Sequence, residues 1–222
     1  MYQQRPPRPG TKMPMTLPIF PLAGALLLPG GELPLNIFEP RYLRMVDDVL
    51  AGDRMIAMIQ PRNELGDDTG GSSALYRVGC VGRLTGFNET EDQRYLINLH
   101  GVQRFHLQAE LSTDTPYRMV ELDYAPFAGD LASDPSAELV DRDRLEAAMR
   151  AYLDAEGLKT DWAAVGEAPS EALIVSLAMG CPFAPNEKQA LLEAETAAER
   201  AQCLIALMEM ARSDDSGDTR LQ

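Results

Sequence analysis

The side chains best suited to covalent or metal chemistry at neutral pH are few: three lysines, two histidines and three cysteines in 222 residues. A phosphate-cradling loop needs glycine immediately before its lysine, so that backbone amides and ammonium converge on the same phosphates. Lys12, Lys159 and Lys188 follow Thr11, Leu158 and Glu187, which excludes a P-loop ATPase. Zinc hydrolysis uses two histidines one helical turn apart plus a third ligand. His100 and His106 lie instead in strand-patterned sequence, and His106 shares a face with Arg104 and Gln108, opposite Phe105 and Leu107, so it is expected in solvent. Neither a GxSxG elbow nor a GxGxxG turn occurs. Cys80, Cys181 and Cys203 are an odd number at wide spacings, with no CxxC, which argues against a disulfide framework and for a reducing cytosol. Activation of a cysteine by a histidine is possible on arithmetic alone. The patterns around the three place them in a strand, at a helix end and in an amphipathic helix, where free cysteines act as small hydrophobes. No catalytic residue, cofactor or metal is expected.

Composition points the same way. The chain is 45% hydrophobic and 24% charged, an ordinary core-forming balance, and its net charge of −14 opposes adhesion to nucleic acid or anionic membrane. That charge is uneven. Residues 1–112 carry 11 Lys+Arg against 12 Asp+Glu, whereas residues 113–222 carry 9 against 22. Two subdomains with different surfaces are expected. No run of 18 apolar residues is present to span a membrane. The basic start before Ile19–Leu28 imitates a secretory signal, but Pro18, Pro21 and Pro29 break the apolar run, so a cytoplasmic protein is expected. Residues 1–15 are expected to be a mobile arm, and 213–222 a disordered acidic tail.

Between these ends the hydrophobic period changes. From Leu17 to about Tyr124, short apolar runs cut by Pro and Gly predict strands joined by turns. Leu33, Leu35 and Ile37 alternate with Glu32, Pro34 and Asn36, and the internal proline predicts a sheet edge or a bulge. Tyr95, Ile97 and Leu99, then His100-Gly101, then Phe105, Leu107, Ala109 and Leu111, predict a hairpin turning at the glycine. Further strands are expected near 55–59, 76–87 and 117–122. One helix interrupts them: Pro40 opens it, Tyr42, Met45, Val46, Val49 and Leu50 form its stripe, and Gly52 stops it. After Ala125 the period is 3.6. Asp134-Pro135 is expected to open a helix burying Leu145, Ala148, Met149, Tyr152 and Leu153 before Gly157. Ser170 is expected to cap a helix with Leu173, Ile174 and Leu177, and Asn186 with Gln189 and Thr196 with Glu199 suggest capping boxes for two more.

Leu17-Pro18-Ile19-Phe20-Pro21-Leu22, then Leu27-Leu28-Pro29-Gly30 and Ile37-Phe38-Glu39-Pro40-Arg41-Tyr42, resemble the start of the Lon protease amino-terminal domain. Asp53-Arg54-Met55-Ile56, Gly79-Cys80-Val81-Gly82 and Gly101-Val102-Gln103-Arg104-Phe105 follow in the same order. The resemblance runs from about Leu17 to Arg212, and Cys181-Pro182-Phe183 with Glu187–Leu192 is similar to short bacterial proteins consisting of this domain alone. It implies an α+β fold: a PUA-like antiparallel β-barrel with one inserted helix over residues 16–125, followed by a C-terminal helical bundle over 126–212. It also implies a non-catalytic module that recognises unfolded or partner polypeptide, an adaptor or holdase linked to ATP-dependent proteolysis.

Glu39-Pro40-Arg41-Tyr42 reads either as a corner clamp between sheet and helix, with Glu39 favoured near the positive helix end, or as one wall of a peptide groove. The apolar residues around the proline-bounded turns must mostly be core. Any left exposed would take up extended unfolded chain, by side-chain burial or by strand addition at a sheet edge. The candidate peptide-binding residues are Phe20, Leu28, Phe38, Arg41, Tyr42, Arg83, Phe87 and Arg104. Two other classes stay open: a small-molecule binder or minor enzyme at the junction of barrel and bundle, and an RNA-binding PUA-like domain using its arginines and aromatics, which the net charge disfavours.

Overall fold

The computed structural model describes residues 13–62 and 74–218, with side chains described as far as Ala211. Most of the expected arm and residues 219–222 of the expected acidic tail therefore lie outside the described residues, whereas residues 213–218, expected to be disordered, continue the last helix. Met13 packs against the core, and the Pro14 carbonyl accepts a hydrogen bond from the Tyr124 hydroxyl at 2.7 Å, so the last residues before the first strand are tied to the fold.

Six strands and one helix make up the first unit: β1 (Thr16–Pro21), β2 (Glu32–Ile37), α1 (Pro40–Ala51), β3 (Met55–Ile59), β4 (Val78–Glu89), β5 (Tyr95–Leu111) and β6 (Met119–Asp123). The strands run in the order β2-β5-β4-β3-β1-β6, and β6 pairs back onto β5, which closes five of them into a ring. The closure depends on the length of β5. Its first half holds β2, from Ile37 opposite Tyr95 to Glu32 opposite His100, and its second half holds β6, from Leu111 opposite Met119 to His106 opposite Asp123. Leu17, Ile19, Ala57, Ile59, Val81, Phe105, Val120 and Leu122 form one buried cluster contributed by five strands. The ring is not wholly antiparallel. β1 and β3 run parallel, Ile19 opposite Ala57, because β2 and α1 intervene and carry the chain back to the same end.

The hairpin expected at His100-Gly101 does not form: β5 continues through both residues. Gly101 is needed there for close approach instead of a turn. A Cβ on it would stand 1.9 Å from the Leu28 carbonyl oxygen, and its own backbone exchanges bonds with Gly30 and Gly31 at 2.9 and 2.8 Å. A register jump beside it, from Val81 opposite Gln103 to Gly82 opposite Gly101, bulges and bends the strand. The actual hairpin joins β4 to β5 through residues 90–94, where Thr90 N donates to the Arg94 carbonyl at 2.9 Å and Gln93 takes a left-handed φ of 61°. Polar sequence there hid a turn without glycine.

β2 is an edge strand, as its proline implied. The bond from Gly101 N to Gly31 O sets the parity of the ladder, so the odd residues of β2 face β5 and Pro34 faces outward. An incoming strand would lose one donor at that position. α1 lies where expected, with Tyr42, Met45, Val46 and Val49 buried. From its outer side Asp48 accepts the Tyr117 hydroxyl at 2.7 Å and Arg44 Nε at 3.0 Å. These bonds hold the Asp48 carboxyl below its ordinary range.

The chain divides between Ala132 and Ser133, not after 125. The reason is a 3-10 segment, Ala125–Leu131, that belongs to the strands. Its Phe127 carbonyl accepts from Gln103 at 3.0 Å, and its Asp130 carboxylate grips Arg104. The second unit contains a 3-10 turn at Pro135–Leu139, then α2 (Arg142–Ala155), α3 (Trp162–Glu167), α4 (Ser170–Gly180), α5 (Pro185–Glu193) and α6 (Ala197–Asp218). Asp134 opens only the 3-10 turn, and α2 is capped by Asp141, whose side chain accepts from Arg144 N at 3.0 Å. Gly157 ends α2 with φ 64° while Leu158 N reaches back to the Leu153 carbonyl at 2.8 Å. Ser170 is the first helical residue and makes no cap bond, since Pro169 occupies the cap. Glu187, not Gln189, reaches back to cap α5, accepting from Ala184 N at 2.7 Å. Thr196 caps α6 by accepting from Glu199 N at 3.1 Å. Leu145, Met149, Tyr152, Leu173, Ile174, Leu177, Leu191, Leu204 and Ile205 are buried, as the 3.6 period required.

Candidate functional site

Burial sorts the expected peptide-binding residues into two groups. Phe20, Leu28, Tyr42 and Arg104 are buried. Phe20 and Tyr42 stack with ring centroids 4.4 Å apart, and Leu28 is fully enclosed beside Gly101. Arg104 is not a surface cation: Asp130 holds it through Nη2 at 2.7 Å and Nε at 2.9 Å, and the Phe127 ring lies 4.7 Å from its guanidinium carbon. Arg41 is half-buried, paired to Glu39, two residues before it, at 3.0 Å and 4.6 Å from the Tyr42 ring. Arg83 is half-buried too, with its Nε buried and unbonded. Its neighbour across the ladder is His100, whose Nδ1 lies 2.6 Å from Glu32.

Phe38 and Phe87 remain. Phe38 is 61% exposed, directly after β2, and Phe87 is 43% exposed, near the end of β4. Both stand at the end of the sheet where β2, β4 and β5 meet beside the 90–94 turn. Leu96, 44% exposed, joins them there, and so does Tyr95. Alternation along β5 puts Arg94 and Leu96 on one face and Tyr95 on the other. Arg94 lies over the Phe38 ring at 5.7 Å, and Phe87 meets Tyr95 edge to face at 5.0 Å. Three large apolar side chains thus stay largely exposed at one strand end. Sequence reading missed Tyr95 and Leu96. The available signal was two consecutive apolar residues in a period-two strand directly after a polar turn, which leaves one of them on the solvent face.

Other chemistry is sparse among the described residues. No group of three or more His, Cys, Asp or Glu is placed to hold a metal ion. Burial pushes the Cys80 thiol up strongly and that of Cys181 up to about 11, so both are protonated at neutral pH. Among the described residues, no helix is long and apolar enough to cross a membrane.

The structure is similar to the N-terminal domain of a Mycobacterium avium complex Lon protease, with a TM-score of 0.64, 15% identity, and coverage of 87% of this chain and 98% of that one. It is also similar to a Lon N-terminal domain protein from Xanthomonas campestris, with a TM-score of 0.59, 22% identity, and coverage of 86% and 97%. Residues 16–210 match the family described as the ATP-dependent protease La (LON) substrate-binding domain, and the chain belongs to that family. Among full-length relatives, Lon protease 2 of Sorangium cellulosum is 26% identical over 208 residues, which is 91% of this chain and 25% of that protein. Lon protease 2 of Myxococcus xanthus is 29% identical over 111 residues, 50% of this chain and 13% of that protein. The chain thus spans a quarter or less of the length of these two relatives.

Proposed function

We propose that this chain is a recognition module that binds extended, unfolded polypeptide through the strand end carrying Phe38, Phe87 and Leu96, and that it serves a Lon-type proteolytic system as an adaptor or holdase. The ring of strands is its PUA-like barrel. The observation that carries the proposal is the exposure of those three side chains at one strand end, on its two faces, in a domain of a substrate-binding family. Water-exposed aromatic and aliphatic groups at one place gain free energy when an apolar segment covers them. Side-chain burial is the favoured mode over strand addition, because Pro34 removes a donor from the open edge of β2. RNA is disfavoured at this end, where Arg41 and Arg94 are matched by Glu39 and Asp92.

Fluorescence anisotropy with labelled, apolar-rich unfolded peptides tests the proposal. Saturable binding is expected with a dissociation constant on the order of tens of micromolar. Phe38→Ala combined with Leu96→Ala is expected to weaken it about tenfold, while the folded signal in circular dichroism is unchanged because both side chains lie in water. Equal affinity for the double variant and the parent would refute this surface.

A further inference from the structure

The same strand end is electrostatically lopsided in a way that specifies more than an apolar ligand. Three of its arginines already have carboxylates: Arg41 with Glu39, Arg44 with Asp48 and Arg94 with Asp92, at 2.8 to 3.0 Å. Two further carboxylates face Tyr95. Asp47 is exposed on α1 and accepts the Tyr95 hydroxyl at 3.0 Å, and Glu89 is exposed directly opposite Tyr95 in the β4–β5 register. Neither forms an ion pair among the described residues. The bond to Asp47, and in smaller part the charge of Glu89, push the Tyr95 hydroxyl up from its ordinary value, so both carboxylates act on this one side chain. Phe87, two residues before Glu89 on the same strand face, packs against Tyr95 with its ring 68° from the Tyr95 plane.

An aromatic pair flanked by two unmatched carboxylates is the chemistry that holds a lysine or arginine side chain. The methylene stem lies on a ring, the cation interacts with the π-face, and the N–H groups donate to the carboxylates. Phe38 and Leu96 lie on the opposite face of the same strand end, so an extended segment that touches both pairs passes over the 90–94 turn. From this charge complementarity we infer that the surface selects extended segments in which an apolar residue is accompanied, within a few positions, by lysine or arginine, and discriminates against segments carrying carboxylates there. This selectivity rests on the binding surface proposed above and assigns Asp47, Glu89, Phe87 and Tyr95 as its specificity determinants.

The test uses the full chain and three labelled peptides sharing one apolar core, flanked by Lys, Gln or Glu. The Lys peptide is expected to bind about fivefold tighter than the Gln peptide, the sum of two exposed charge pairs, and the Glu peptide weaker than both. Asp47→Asn with Glu89→Gln is expected to abolish the Lys preference, so that the Lys and Gln peptides bind alike. Glu156→Gln with Glu171→Gln, exposed positions in the second unit, removes the same charge and should preserve it. Should the first pair fail to fold, Glu89→Gln alone is expected to reduce the preference about twofold. Binding of all three peptides with equal affinity overturns the selectivity and leaves the surface standing. A preference lost equally in both double variants belongs to the overall charge of −14 and also overturns it. If none of the three peptides binds, the surface itself falls.

Discussion

Asp130→Ala is expected to destabilise the strand ring by about 3–5 kcal/mol, the cost of stranding a buried cation. The side chains of Arg104 and Asp130 are 6% and 8% exposed, and the carboxylate receives Nη2 and Nε of the guanidinium as well as the Arg104 backbone N–H at 2.9 Å. Removing it takes the Asp130 acceptor from all of these donors at once. The cation–π contact with Phe127, worth about 2 kcal/mol when desolvated, offsets only part of this. The same change detaches the 3-10 segment Ala125–Leu131, whose remaining described polar tie to β5 is the Gln103 bond to the Phe127 carbonyl. Asp130→Asn should fall between the two, keeping an acceptor without the charge. Arg104→Met combined with Asp130→Leu is expected to recover most of the loss, since an apolar pair of similar volume has no desolvation cost. Urea unfolding followed by circular dichroism checks this. A single Asp130→Ala change that costs less than about 1 kcal/mol would mean that the pair is solvated in solution.

The second large effect is steric. Gly101→Ala is expected to cost about 3 kcal/mol or more, because its methyl group would stand 1.9 Å from the Leu28 carbonyl oxygen and 2.7 Å from the carbonyl carbon. These are backbone atoms and cannot swing away. Relief requires separating β5 from residues 28–31, which breaks the paired bonds of Gly101 with Gly30 and Gly31. Gly79→Ala meets the same kind of obstacle, 2.4 Å from the Met58 carbonyl oxygen and 2.3 Å from the Phe105 ring at the centre of the core. By contrast Gly129→Ala, which faces open space, is expected to be near neutral. Soluble yield and thermal unfolding midpoints rank the three. Gly101→Ala with a midpoint equal to the parent would show that the approach of residue 28 is looser than described.

Why Gly101 misled a reading of the sequence is instructive. A polar residue followed by glycine between two alternating segments is the pattern of a two-residue turn, and nothing local distinguishes that from a glycine required by another part of the chain. Close approach is a tertiary property. Pro34 was readable because its missing donor restricts it to an edge wherever the strand lies, and α1 was readable because opening proline, stripe and stop glycine all fall between Pro40 and Gly52. Arg104 was not. Its alternation with Phe105 and Leu107 correctly placed it on the outer side of β5, but the segment that covers this side lies 26 residues further along the chain. The binding surface was half readable for the same reason. Phe38 and Phe87 are apolar residues beside polar punctuation, visible as candidates, whereas Phe20 and Tyr42 look identical in sequence and are buried against one another. Only the packing of α1 on the sheet separates the two pairs.

The central claim is that unfolded polypeptide is bound at the three-stranded end formed by β2, β4 and β5. Backbone amide shifts of the isotopically labelled chain, recorded while an apolar peptide with lysine flanks is titrated in, test it most directly. The account predicts that the saturable changes cluster on Phe38, Asp47, Phe87, Glu89, Tyr95 and Leu96, with residues of β1 and β6 unmoved. Saturable changes confined to β1, β6 or the helices after Ser133 would contradict it.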